Sequence, residues 1–327
     1  MHKILITSQS FGKNSQEPIK YLQDNQCELH FVQKGHLKSE ELVPLIKGID
    51  GMIIGIDQVD RKVIEASDQL KIICMHGTGT DHIDVEAATK KGILVANAPG
   101  GNNNAVAELT VGLMLNITRH IHASDASIRK YQWKRKIGSE ITGKKIGIVG
   151  VGNIGGRVIE LLAGFDVEVL AYDRSRNFKF ENGLKGEYVS LEQLIKESDI
   201  ISLHLPLNEQ TQDMISKNEL EMMKNTAYLI NTSRGGLINE ADLYDALVNQ
   251  KIAGAALDAF EHEPLQEDSK LRELENVVMT AHIAASTYES ANLVDKINAE
   301  TIVSVLLKNK NINVINNKKS DCLISVG

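Results

Sequence analysis

Three short segments each carry an ionisable side chain of a type that carbonyl reduction or alcohol oxidation needs. Arg234 lies in Ile230-Asn231-Thr232-Ser233-Arg234-Gly235-Gly236, Glu263 in Leu257-Asp258-Ala259-Phe260-Glu261-His262-Glu263-Pro264, and His282 in Thr280-Ala281-His282-Ile283-Ala284. A planar guanidinium binds a carboxylate with two parallel hydrogen bonds, which suits Arg234 to an acid substrate. An imidazole titrates near working pH, so His282 can give or take the proton of an alcohol. A carboxylate hydrogen-bonded to that ring favours its charged form, the role open to Glu263. Taken singly, Arg234 reads as a surface charge, Glu263 as a solvated loop carboxylate and His282 as a packed core histidine. Their arrival together, each at the end of a strand-like run, favours the chemical reading.

Upstream stands Gly150-Val151-Gly152-Asn153-Ile154-Gly155. This glycine spacing is weak by itself, but here it follows a strand-like run (145–149) and opens a helix-like one (157–162). Gly150 allows a tight turn, Gly152 lets backbone approach a pyrophosphate, and Gly155 lets helix and strand pack closely. The N-terminus of that helix offers unpaired N–H groups and a positive dipole end to the phosphates, and Asn153 and Ile154 of the run are expected among the cofactor-binding residues. Asp173 closes the next strand-like run, where a carboxylate binds ribose hydroxyls and repels a 2′-phosphate. NAD is therefore the expected cofactor rather than NADP, with Arg174 and Arg176 the nearby residues that oppose this choice.

The elements that must hold these residues form two series. Strands are expected at 4–7, 29–32, 52–54, 72–75 and 93–96, with helices between them, which implies a parallel sheet covered on both faces. After Pro99-Gly100-Gly101 comes a long amphipathic helix, whose stripe is Val106, Leu109, Leu113, Met114, Ile117 and Ile121. Six more strands are expected at 146–149, 167–172, 200–205, 228–231, 255–257 and 277–280. Ser190 to Gln193 reads as a capping box before the third of them. A last helix is expected over 287–307. The fold class is α/β, with two Rossmann-like, doubly wound parallel-sheet domains. The first, flavodoxin-like and discontinuous, comprises 1–100 plus 287–316 and binds substrate. The second, 101–286, binds the dinucleotide, and 317–327 is expected to be a loose tail.

Composition narrows the alternatives. The 327 residues suit two domains, and 42% hydrophobic with 24% charged residues supports packed cores. Aromatics are only 4%, so aliphatic side chains must fill those cores. A net charge of -7 with scattered basic residues argues against nucleic acid as a partner. Cys27, Cys74 and Cys322 are too few and too dispersed for a disulfide framework or a zinc site, so no metal is expected. The start carries only a short apolar run, and nothing reaches the roughly 18 apolar residues of a membrane span. A cytoplasmic protein without membrane contact is expected.

With these residues in view, the chain resembles the D-isomer-specific 2-hydroxyacid dehydrogenase family. The similarity covers about residues 50 to 300. It is carried by Gly77-Thr78-Gly79-Thr80-Asp81-His82-Ile83-Asp84, Asn104-Ala105-Val106-Ala107-Glu108, the glycine run, His204-Leu205-Pro206-Leu207, and the segments bearing Arg234, Glu263 and His282. The resemblance implies hydride exchange between NAD and carbon 2 of a small 2-keto or 2-hydroxy acid. It implies Arg234 as the carboxylate ligand and His282 with Glu263 as acid and base. It implies backbone N–H groups around Thr78 and Gly79 on the carboxylate, with Thr78 also near the nicotinamide, and Asn102 as a substrate contact. It further implies Asp258 on the nicotinamide amide, Thr232 and Leu205 lining the cofactor groove, and a homodimer built on the helix after Asn104.

Several positions depart from the family pattern. Ala281 stands where most relatives have proline and Ala284 where they usually have glycine, so the His282 loop is expected to sit slightly differently, with activity retained. Ile54 and Met75 occupy places where many phosphoglycerate dehydrogenases carry arginine for the substrate phosphate. His76 reads equally as a specificity residue and as a packing histidine. Phosphoglycerate dehydrogenase proper is the alternative within the enzyme class, and a non-catalytic NAD-sensing scaffold the alternative outside it.

Overall fold

In a computed structural model of the protein, the described residues are 1–32, 34, 36–180 and 185–316. The expected tail, 317–327, lies outside them. The chain divides into two compact units, one formed by Met1–Asn102 with the chain from Ser286 onward, the other by Asn103–Ala285.

The first unit is built on β1 (His2–Ile6), β2 (Cys27–Phe31), β3 (Gly51–Ile54), β4 (Ile72–Met75) and β5 (Leu94–Ala96). All neighbours are parallel, in the order β2-β1-β3-β4-β5, the flavodoxin-like arrangement. Helices α1 (Glu17–Asp24), α2 (Ser39–Leu42), α3 (Arg61–Ala66) and α4 (Val85–Lys90) link the strands. Strand residues alternate between two apolar layers. Met52, Ile54, Ile73 and Met75 join one, while Ile53, Ile72 and Cys74 join the other. Burying such a side chain fully contributes about 1.5–3 kcal/mol, so both faces must be covered and the strands read as unbroken apolar runs. Side chains also set the helix starts. The Asp60 carboxylate accepts from the Lys62 and Val63 N–H groups at 3.0 and 3.2 Å, and Asp84 from Ala87 N–H at 2.8 Å.

The second unit opens with α5 (Asn103–Thr118) and α6 (Ile121–Arg129). The expected stripe breaks at its end. His120 takes a left-handed conformation at φ 54 and ends the run, so Ile121 starts a new helix and points to solvent. Next come β6 (Lys145–Val149), α7 (Asn153–Leu162), β7 (Glu168–Tyr172), β8 (Lys185–Tyr188), α8 (Leu191–Glu197), β9 (Ile200–Leu203), α9 (Lys217–Met222), β10 (Tyr228–Asn231), α10 (Glu240–Val248), β11 (Gly254–Leu257) and β12 (Val277–Met279). The sheet has seven strands, not six, in the order β12-β11-β10-β9-β6-β7-β8. Counted from β6, this is the dinucleotide-binding order 3-2-1-4-5-6 with one more strand beyond. The unforeseen strand is β8, Lys-Gly-Glu-Tyr, an edge whose residues are not buried and so leave no apolar run to read. Ser190 caps α8, accepting from Gln193 N–H at 3.2 Å.

The chain then returns to the first unit as α11 (Tyr288–Lys308), capped by Thr287, which accepts from Ser290 N–H at 3.1 Å. Its Ala299, Ile302 and Val303 pack into the layer with Ile53 and Cys74. On the same helix Asp295, Asn298 and Thr301 are buried and polar, so each must find a partner inside the unit. Among the described residues, no helix is long and apolar enough to cross a membrane, and no group of His, Cys, Asp and Glu is arranged to hold a metal ion. Cys27 and Cys74 are buried free thiols.

Candidate active site

In the second unit the strand order reverses between β6 and β9, the place where open α/β sheets hold ligands beyond the strand ends. The glycine run sits there. Gly150 has φ +93, and a Cβ on it would lie 2.5 Å from the His204 carbonyl oxygen. A Cβ on Gly155 would lie 2.0 Å from the Gly150 carbonyl oxygen, so only glycine lets α7 start this close to β6. A Cβ on Gly152, by contrast, would meet nothing within 4 Å, which leaves that backbone open to a ligand. Gly152 caps α7, with Asn153, Ile154 and Gly155 in its first turn. This cradle fits the pyrophosphate of a dinucleotide.

Asp173 follows β7, and its carboxylate accepts from Val151 N–H at 2.6 Å and Ser175 N–H at 2.8 Å. It therefore ties the glycine loop to the next strand. Arg174 is paired with Gln210, and the Arg176 guanidinium lies 5.8 Å from the Tyr188 ring centre. His204, after β9, has Nε2 2.9 Å from Ser202 Oγ, while its Nδ1 is buried with no protein partner. Burial pushes the ring down to about 4, so it is neutral at working pH. Leu205 packs partly buried on the core, and the buried Thr232 hydroxyl lies 2.8 Å from that of Thr110.

The three chemical residues arrive at neighbouring strand ends, after β10, β11 and β12. A Cβ on Gly235 would fall 1.8 Å from the Phe260 carbonyl carbon, so the loops after β10 and β11 touch backbone to backbone. Arg234 therefore stands next to the Glu263 turn, its Nη1 donating to the Ser233 carbonyl at 2.8 Å. Glu263 accepts from Phe260 N–H at 3.0 Å on one oxygen and lies 2.7 Å from His282 Nδ1 on the other. Partial burial raises the Glu263 pKa. The His282 and Phe260 hydrogen bonds and the His282 and Arg234 charges outweigh it and hold the carboxyl below its usual range. His282 is raised, first by the Glu263 hydrogen bond and then by the charges of Glu263 and Asp258, against partial burial and Arg234.

Asp258 explains how His282 is held. It is 1% exposed, and its Oδ1 accepts from Thr280 Oγ at 2.6 Å and Ile283 N–H at 2.8 Å. Its Oδ2 accepts from Ala284 N–H at 2.8 Å. One buried carboxylate thus grips the loop on both sides of His282, which sits at φ 50, a conformation costing of order 1–3 kcal/mol in a non-glycine residue.

The remaining candidates belong to the first unit. Thr78 and Gly79 are half-buried in the loop after β4, where Asn97 Nδ2 donates to the Thr78 carbonyl at 2.8 Å. Asn102 Nδ2 reaches Thr78 Oγ at 3.5 Å, and its Oδ1 is buried without a protein partner. Ile54 and Met75 are buried aliphatic side chains. His76 is bound to Asp295 of α11, with Nε2 2.6 Å from Oδ1. Sequence reading missed Asp295. Its only signal was a lone carboxylate on the apolar side of the last helix.

The family model for the D-isomer specific 2-hydroxyacid dehydrogenase, NAD binding domain, matches residues 111–284. The chain is 41% identical over 275 residues to a glyoxylate reductase of Thermofilum pendens, covering 82% of this chain and 81% of that protein. It is 42% identical over 264 residues to a hydroxypyruvate reductase of Thermotoga maritima, covering 79% and 85%. Among solved structures it is similar to a D-lactate dehydrogenase of Aquifex aeolicus complexed with NAD and lactic acid. There the TM-score is 0.84 and the identity 27%, over 96% of this chain and 99% of that one.

Proposed function

The chain belongs to the D-isomer-specific 2-hydroxyacid dehydrogenase family, and from that premise we propose that it reduces a short, unphosphorylated 2-keto acid to its D-2-hydroxy acid. NAD in its reduced form, when bound, supplies the hydride to carbon 2. His282 supplies the proton to the carbonyl oxygen and takes it back in the reverse direction. Glu263 keeps the ring charged between these events, and Arg234 holds the substrate carboxylate. Thr78 and Gly79 offer backbone N–H groups to the carboxylate, and Asn102 a side-chain contact, as the family resemblance implies. Gly150 to Gly155, Asp173, Leu205, Thr232 and Thr78 serve the cofactor. An ionised carboxylate has about four acceptor sites. Among the described residues Oδ2 of Asp258 accepts from Ala284 N–H, and its second acceptor site is the one offered to the nicotinamide carboxamide.

The observation that carries the reading is the 2.7 Å contact between His282 and Glu263, with Arg234 close enough to act electrostatically on both. Glyoxylate and hydroxypyruvate, named for two relatives, are the substrates of choice. An NADH-oxidation screen against glyoxylate, hydroxypyruvate, pyruvate, longer 2-keto acids and 3-phosphohydroxypyruvate tests this. Turnover with none of the unphosphorylated acids would sink it.

A homodimer accompanies this reading. Ile128, Tyr131, Trp133 and Ile137 project from the stretch after α5 with most of their surface in solvent, and such a cluster calls for a cover. A second copy of the chain is the proposed cover. Sedimentation should give twice the chain mass, and a monomer at micromolar concentration would contradict it.

A further inference from the structure

A polar chain in the first unit lies outside the assigned roles. Asp295 is fully buried on α11, and His76 Nε2 lies 2.6 Å from its Oδ1. The other oxygen accepts from Gly12 N–H at 2.9 Å. On the far side of the ring, His76 Nδ1 lies 3.3 Å from Ser10 Oγ, and Ser10 Oγ lies 3.4 Å from Ser8 Oγ. Phe11 closes over the imidazole edge-on, at 6.1 Å between centres and 79° between planes. Asn298, one turn along α11, donates to the Met75 carbonyl at 3.1 Å and holds the end of β4 beneath His76.

The chemistry of these groups fixes a direction. A carboxylate only accepts, so Nε2 must carry the hydrogen donated to Asp295. Where the ring carries only that hydrogen, Nδ1 accepts and the Ser10 hydroxyl donates to it. One lone pair of the Ser10 oxygen then accepts from Ser8 and the other is left in solvent, since Ser10 is exposed while His76 and Asp295 behind it are buried. An oriented acceptor of this kind is complementary to an O–H donor and not to a methyl group.

Its location matters because His76 directly precedes Gly77-Thr78-Gly79. Successive Cα atoms are about 3.8 Å apart. The far end of a three-carbon acid held at Thr78 and Gly79 is therefore within reach of side chains anchored at His76. Asn102 brings a buried, unpartnered acceptor to the same loop.

We propose that Ser10, oriented by His76 and Asp295, accepts a hydrogen bond from a hydroxyl on carbon 3 of the substrate and so selects hydroxypyruvate-like acids over pyruvate-like ones. This rests on the proposed keto-acid reduction and on Thr78 and Gly79 holding the carboxylate. Ser10 touches the substrate, whereas His76 and Asp295 are positioning residues. Because Ser10 is exposed, the selectivity is modest, of the order of tenfold, rather than the far larger factors of fully buried hydroxyl sites.

The test compares kcat/KM for hydroxypyruvate and pyruvate, which differ by that hydroxyl alone, using full-length protein and NADH. Wild type should favour hydroxypyruvate about tenfold. S10A should bring the ratio close to one, S10T should hold it within about threefold of wild type, and D295N should lower it by disorienting the ring. S10A alters an exposed side chain and keeps the test decisive even where D295N fails to fold. Glyoxylate, which has no third carbon, separates the two levels of argument. Reduction of glyoxylate with an S10A ratio equal to that of wild type overturns this inference alone. No reduction of any unphosphorylated acid, the longer 2-keto acids included, overturns the proposed function with it.

Discussion

His282 Nδ1 and Glu263 Oε2 lie 2.7 Å apart although 19 residues separate them in the chain. One ring nitrogen is thereby committed to a carboxylate, which leaves Nε2 on the opposite edge for the substrate. The Glu263 hydrogen bond, with the Glu263 and Asp258 charges, raises the His282 pKa against partial burial and Arg234. In the proposed mechanism reduction uses the protonated ring, so its kcat/KM should be full below that pKa and fall as pH rises through it. Oxidation uses the neutral ring and should rise through the same pKa. E263Q removes the charge that favours the imidazolium, so both profiles should move to lower pH. Paired pH–rate profiles check this, and an unmoved E263Q profile would contradict the pairing.

Removing the proposed acid itself should be more severe. H282A should lower kcat by roughly two to four orders of magnitude, the usual scale for a positioned proton donor. Its NADH affinity, measured by fluorescence titration, should stay within a few-fold of wild type because the glycine turn and Asp173 lie on other strands. Near-normal turnover in H282A would remove His282 from the mechanism.

Much of this arrangement was legible in the sequence, for reasons that differ by residue. The glycine run carries its own spacing, and both sheets announce themselves through aliphatic runs such as Ile72–Met75 and Ile200–Leu203, buried on both faces. Strand β8 did not, because an edge strand needs backbone pairing more than apolar side chains. The helix break at His120 rests on one left-handed residue that no periodicity reveals. The pairing of His76 with Asp295 spans 219 positions, and only the folded sheet brings these residues together. In the same way, Asp258 in sequence says nothing of the three donors it gathers from Thr280, Ile283 and Ala284.

Cofactor choice follows from Asp173. Its carboxylate sits at the end of β7 beside the glycine turn, where a 2′-phosphate would meet like charge. NADH should therefore exceed NADPH in kcat/KM by at least about tenfold, a ratio worth about 1.4 kcal/mol. D173A should narrow the gap. It should also weaken NADH binding, because Val151 N–H loses the acceptor that ties down the loop. Equal use of both cofactors by wild type would show that Arg174 or Arg176 outweighs the aspartate.

Substrate charge gives a further discrimination. Ile54 and Met75 are buried and aliphatic, so neither can pair with a phosphate. The chain also carries a net charge of -7, which disfavours a phosphate dianion. Hydroxypyruvate should exceed 3-phosphohydroxypyruvate in kcat/KM by at least about tenfold. A clear preference for the phosphorylated acid would mean that another basic residue holds the phosphate and would favour phosphoglycerate dehydrogenase proper.

Asp258 should show that the His282 loop is held rather than merely folded. Its two oxygens accept from Thr280 Oγ, Ile283 N–H and Ala284 N–H, and between the last two donors and Thr280 stands His282 at φ 50. D258N keeps the shape but replaces one acceptor with an amide donor, which must face a donor already in place. Leaving a buried group unsatisfied costs about 1–3 kcal/mol, and each kcal/mol lowers the melting temperature by roughly 2–4 °C in a domain of this size. Tm should therefore fall by several degrees. The loss of charge should also lower the His282 pKa, because Asp258 is one of the charges that raise it. A purely structural role would lower Tm and leave the pH profile in place. A positioning role should lower kcat well below its wild-type value at temperatures where the protein remains folded, and shift the reduction profile to lower pH. If D258N loses stability but keeps both kcat and the profile, the loop does not depend on Asp258 to present His282.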